Sequence, residues 1–99
     1  MTSKKSPSGN VGTRVMSEHP RAKIWELKLD PGESSEWHAH QHDYIFVVLE
    51  ASTLRTEYDD GTVHDSPSRV GDVVYLDATT HRVTNVGKSR YRNVIVELL

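Results

Sequence analysis

Alternation with period two dominates this chain. Across residues 22–29, Trp25, Leu27 and Leu29 fall on one parity and Glu26 and Lys28 on the other. That is the pattern of a strand with one buried face. Asp30-Pro31-Gly32 interrupts it with a turn, because proline fixes φ and glycine permits positive φ. Residues 36–42 alternate again, with histidines at 38, 40 and 42. Residues 44–49 are apolar on both parities, which suits a strand in the middle of a sandwich. Residues 52–58 lead into Asp59-Asp60-Gly61, a hairpin signal, and residues 62–65 return from it. Ser66-Pro67-Ser68 and Val70-Gly71-Asp72 are further breaks, and residues 73–76 read as a buried strand. Residues 81–85 alternate, Val86-Gly87-Lys88 turns the chain, and residues 91–99 form a last strand with Val94, Val96 and Leu98 on one face.

No segment sustains the i, i+3, i+4, i+7 apolar spacing of a helix. Many short strands separated by turn residues predict an all-β fold, an antiparallel sandwich or small barrel. At 99 residues the chain has room for one core. Residues 1–12, rich in Ser, Lys, Pro and Gly, are expected to form a mobile tail, and residues 13–99 the domain.

Composition narrows the function classes. Twelve basic residues against fourteen acidic give a formal charge of −2, and no basic stripe marks a nucleic-acid binder. The chain has no cysteine, which excludes disulfides and thiolate metal sites. No apolar run reaches the ~20 residues of a membrane span. The basic residues near the start are not followed by an apolar stretch, so no secretory signal is expected and a cytoplasmic location is.

The candidate chemistry lies in the histidine run. On an extended chain His38 and His40 point the same way, with backbones roughly 7 Å apart. Two imidazoles at that spacing can converge on one ion through bonds of about 2.0–2.1 Å. The alternative is a polar strand face open to water.

Two spaced patterns extend this. Gly32 is followed, after five residues, by His38, Ala39 and His40. Gly71 opens a second pattern in which His81 is followed, after three residues, by Asn85. In register and order these resemble the two motifs of the cupins, small barrels of the double-stranded β-helix type. The chain departs from them in places. Tyr44 or Ile45 stands where the first motif has Glu, and Ala51 where it closes on Gly. Asp77 and Thr79 replace the Pro and Gly of the second motif, and His81 arrives one residue early.

The resemblance implies a cupin barrel, a homodimer, and a divalent metal held inside by His38, His40 and His81. His81 shares its parity with Val83, so the residues themselves give it the same inward face. Three imidazoles suit Fe, Ni, Cu, Zn or Mn better than Ca or Mg. Without the Glu, no carboxylate cancels the ion's charge, and an all-histidine site is the stronger Lewis acid. His42 and Tyr44 are the candidates for the vacant fourth place. Tyr44, as a phenol, fits a hydrogen-bonding or proton-transfer role better than ligation.

The expected function is therefore that of a metal-dependent enzyme of dioxygenase, isomerase or decarboxylase type, acting on a small oxygen-bearing organic substrate. The alternative is a non-catalytic module that binds or senses a small ligand or metal. Asn85 reads as a structural hydrogen-bonding residue near a turn. Glu36, His19 and His64 read as solvated, Trp25 and Trp37 as packing residues, and Arg90 and Arg92 as flanking an edge strand.

Overall fold

The computed structural model describes residues 10–39 and 41–99. They form nine strands: β1 (Arg14–Glu18), β2 (Ala22–Leu29), β3 (His38–Ala39), β4 (Tyr44–Glu50), β5 (Thr53–Tyr58), β6 (Val63–Pro67), β7 (Val73–Leu76), β8 (Thr80–Asn85) and β9 (Tyr91–Leu98). A five-stranded sheet in the order β1-β2-β9-β4-β7 faces a four-stranded sheet in the order β3-β8-β5-β6. All strand pairs are antiparallel. The fold is the expected all-β barrel.

The inner faces meet in a core of Val11, Trp25, Leu27, Leu29, Tyr44, Val48, Val83, Tyr91 and Ile95. β2 begins and ends where its alternation does, because its single buried face is marked by large apolar residues throughout. The chain joins the core earlier than the expected boundary at residue 13: Val11 is 1% exposed, and the amide of Thr13 donates to the carbonyl of Glu26 at 2.6 Å. Residues 1–9, the rest of the expected tail, lie outside the described residues.

The two glycines that open the spaced patterns sit in turns at positive φ, 87° for Gly32 and 89° for Gly71. A side chain at either position would be strained. The amide of Gly32 donates to the carbonyl of Asn85 at 2.8 Å, which ties the first turn to the end of β8. The Asn85 side chain completes that junction. Its Nδ2 donates to the carbonyls of Leu29 (2.9 Å) and Ser89 (2.8 Å), and its Oδ1 accepts from Ser52 Oγ (2.8 Å) and the amide of Gly87 (3.0 Å). Both donors and both lone pairs are thus used, as expected of a structural asparagine.

Three elements differ from the alternation reading. β7 is an edge strand of its sheet, so only Val74 and Leu76 turn inward, while Val73 and Tyr75 are 67% and 56% exposed. Its apolar sequence covers an outer face as well as an inner one. β6 continues through Pro67, where a break is expected; it is also an edge strand, where a missing N–H costs no ladder bond. In β9 the buried parity is Tyr91, Asn93, Ile95 and Glu97, so Val94, Val96 and Leu98 form the outer face. Of the inward polar groups, Glu97 is met from the neighbouring strand: Trp25 Nε1 donates to Glu97 Oε1 at 3.1 Å.

β9 is central to its sheet, so Arg92 does not flank an edge. On the outer face its guanidinium bridges Glu26 (3.0 Å) and Glu50 (2.9 Å), which pair in turn with Arg14 (3.0 Å) and Arg90 (2.9 Å). This chain of alternating charge laces β1, β2, β9 and β4 together.

Candidate metal centre

The histidine segment pairs only briefly. β3 holds two residues, with His38 opposite His81 and Ala39 opposite Thr80. The chain then leaves the four-stranded sheet and enters the other at Tyr44, where the carbonyl of Asp43 accepts the amide of Leu98 at 2.9 Å. The expected strand over residues 36–42 therefore ends early. The crossing follows from sequence, since Gln41, His42 and Asp43 give neither sheet an apolar side chain to bury. Parity does not carry across it, and this separates His42 from His38.

His38 and His81 come together. Both are buried, at 1% and 7% exposure, and their rings meet edge to face with centroids 4.5 Å apart and planes at 84°. His38 Nδ1 lies 2.9 Å from the carbonyl oxygen of Glu36. A carbonyl can only accept, so Nδ1 carries the proton and Nε2 the lone pair. Metal-binding imidazoles are commonly held this way, their second nitrogen oriented by a carbonyl or carboxylate. The side chain of Glu36 is exposed, as expected, and its backbone does this orienting.

Tyr44 is brought to the same place. It opens β4 on the inward face, 2% exposed, with its hydroxyl 3.5 Å from Thr79 Oγ1. His42 is not. It is exposed and lines a separate surface depression with Glu18, His19, Trp25 and Glu97. His40 lies outside the described residues. Among the described residues, no group of three or more His, Cys, Asp or Glu side chains is placed to hold a metal ion.

His38, His81 and Tyr44 line one cavity of about 240 Å³ between the sheets. Its walls are mostly apolar, with Leu27, Phe46, Val48, Leu54, Val83 and Ile95 among them. Tyr58 also lines it, opposite His81 in the β5–β8 register, the rings 6.0 Å apart. The alternation reading missed Tyr58, because only the ladder between two distant strands sets it beside a histidine. His64, expected to be solvated, is exposed on β6 and yet reaches the cavity rim.

Burial sets the electrostatics. It lowers the His38 pKa, and it lowers that of His81 to about 3, with the His38 charge adding to the effect. Both rings are neutral near pH 7, the form that ligates metals. Burial also pushes the Tyr44 phenol up to about 12, so it stays protonated and serves as a hydrogen-bond donor.

These shifts imply an acid-sensitive fold. As pH drops below about 6.5, the unfolded chain binds protons that the folded imidazoles refuse. The lowered folded pKa values therefore give stability that is complete above that point and declines toward acid. The metal-free protein should lose up to about 1.4 kcal/mol per pH unit per imidazole. Urea unfolding between about pH 6.5 and 5, above the ordinary carboxylate range, reads this directly; a flat profile there would contradict it.

The comparisons with known proteins agree with this architecture. A family model for the cupin domain matches residues 25–96. The chain belongs to the cupin family. Its fold is similar to the crystal structure of a cupin domain from Bordetella pertussis, with 25% identity, a TM-score of 0.80, and coverage of 87% of this chain and 90% of that one. It is also similar to a double-stranded β-helix protein from Klebsiella pneumoniae, at 21% identity and a TM-score of 0.70, covering 94% of this chain and 81% of that one. A cupin superfamily protein from Desulfitobacterium hafniense shares 18% identity with a TM-score of 0.63, over 91% and 82% of the two chains. No curated protein matches the chain.

Proposed function

We propose that this cupin binds a divalent transition metal through His38, His81 and His40 and acts on a small oxygen-bearing organic molecule in the cavity beside it. The observation that carries the proposal is the geometry of the His38–His81 pair. A metal–nitrogen bond of about 2.1 Å plus a ring radius of about 1.1 Å puts each centroid about 3.2 Å from a shared ion. Ligands at a right angle, as in octahedral coordination, then have centroids about 4.5 Å apart. The observed separation is 4.5 Å. The Glu36 carbonyl further supports the reading, since it directs the His38 lone pair to Nε2.

Fe, Ni, Cu, Zn and Mn all suit such a donor set. When bound, the ion would act as a Lewis acid on adjacent substrate oxygens, keeping both positive charges because no carboxylate stands in the set. The chain's own residues supply the remainder. The apolar walls exclude water and strengthen each polar contact inside. The Tyr44 hydroxyl, protonated at neutral pH and steadied by Thr79, donates a hydrogen bond toward negative charge that develops on substrate. His42 has no part in this site.

The outer face of the five-stranded sheet supports assembly as a homodimer. Val73 and Tyr75 stand exposed there, in register with Val47 and Ile45 and through them with Val94 and Val96.

The enzyme reading is tested by turnover of β-diketones, catechols and thiol acids on metal-loaded protein, followed by oxygen uptake and product analysis. Wild type is expected to turn over one class, and Tyr44→Phe to lower kcat by about a hundredfold while leaving metal content unchanged. Tight binding without turnover of any class would instead assign the protein as a non-catalytic binding module.

A further inference from the structure

The cavity has a second polar end, and it lies away from the histidines. Along β4, Tyr44 stands at the His38–His81 end, and Val48 is four residues further on, about 13 Å away. Val48 is the Cα partner of Asn93 in β9, and its amide donates to the carbonyl of Asp72 at 3.0 Å. Asn93, Asp72 and Tyr91 all line the cavity. Between this end and the imidazoles the walls are mostly apolar, with Thr56 and His64 as polar exceptions on β5 and β6.

Asn93 is 3% exposed. Its Nδ2 donates to the Tyr91 hydroxyl at 2.7 Å, but its Oδ1 is shielded from water and meets no donor among the described residues. A buried carbonyl oxygen left without a partner destabilises a fold, and such atoms are rare for that reason. Turning the amide by half a turn exchanges oxygen for nitrogen and still leaves one polar atom unmatched. Asn93 lines the cavity, so a small turn of its side chain would bring this atom to a group bound there.

We propose that Asn93 is a specificity residue: it recognises a hydroxyl group carried by an otherwise apolar ligand, at the end of the cavity remote from His38 and His81. A hydroxyl can donate to Oδ1 and can equally accept from Nδ2, so it meets either orientation of the amide. An anionic group does not suit this end. The Asp72 carboxylate lines it too, and its field adds to the burial that pushes the Tyr91 phenol up to about 12. At about 240 Å³ the cavity falls below the ~300–1,000 Å³ common for drug-sized ligands, so the molecule is small. The inference rests on the cavity being a ligand site, as proposed above, and requires no metal.

The test compares para-cresol with para-xylene, which have nearly the same shape and differ by one hydroxyl. Affinities are measured by calorimetry on the full chain as purified and again after chelation. The cresol-to-xylene affinity ratio is expected to be about tenfold higher in wild type than in Asn93→Leu, with and without metal. Equal ratios in the two proteins, or no binding of either probe to wild type, would overturn the proposal. The histidine site is assessed separately by metal uptake, so either reading can fail alone. Should the leucine variant not fold, isotope-labelled wild type serves. The side-chain amide resonances of Asn93 should shift with para-cresol and stay with para-xylene, and equal responses would overturn the proposal.

Discussion

Asn85→Ala is expected to lower the folding free energy by about 3 kcal/mol or more. The side chain is fully buried and makes four hydrogen bonds. They join the end of β2, the β8–β9 turn and the approach to β5. Alanine removes all four bonds at once, including the buried one to the Leu29 carbonyl and the part-buried ones to Ser52, Gly87 and Ser89. For a domain of this size the melting temperature should fall by roughly 15 °C or more. Asn85→Asp discriminates the cause. It keeps the shape and the two acceptor sites but removes both donors and adds a buried charge, so it should be at least as damaging as alanine. A loss below about 1 kcal/mol for either variant would contradict the structural role given to this residue.

His81→Ala should abolish metal uptake in practice, with affinity reduced by at least about a hundredfold. Losing a direct ligand leaves His38 on a two-residue edge strand, and among the described residues no other group is placed to replace the missing donor. The variant removes a buried neutral ring that makes an edge contact with His38, so the fold should survive, with some loss of stability from the space left behind. Circular dichroism checks the fold, and equilibrium dialysis with nickel or cobalt reads the metal. His42→Ala is the matched control. Its side chain is exposed and lines a different depression, so uptake should equal that of wild type. A loss on His42→Ala equal to that on His81→Ala would mean that the crossing after Ala39 is drawn wrongly.

Much of this was legible in the residues because alternation is a local signal. β2 needs only its own Trp25, Leu27 and Leu29 to declare which face is buried, and His81 declares its side through Val83 two residues on. The spacing of Asn85 from His81 placed it near a turn with a structural task. What alternation misses are features whose cause lies elsewhere in the chain. Glu97 turns inward because Trp25 Nε1, 72 residues away in sequence, meets it there, and Tyr58 joins the site through the register of β5 on β8. Asn93 looks polar and outward by its composition, yet it shares the buried parity of Tyr91 and Ile95. The crossing between Ala39 and Tyr44 was hidden for a different reason. Its residues are polar, so no apolar side chain records which sheet the chain is leaving. That is why spacing alone groups His42 with the other histidines, whereas the structure leaves it exposed beside a different depression.

The central claim is that His38 and His81 are two ligands of one metal ion. The direct measurement is the transition-metal content of protein purified without a histidine tag, followed by reconstitution of chelated protein with Fe, Ni, Cu, Zn or Mn. About one equivalent bound per chain, released as pH drops through about 6, is the predicted result. Less than about a tenth of an equivalent, with no uptake on reconstitution, would contradict it.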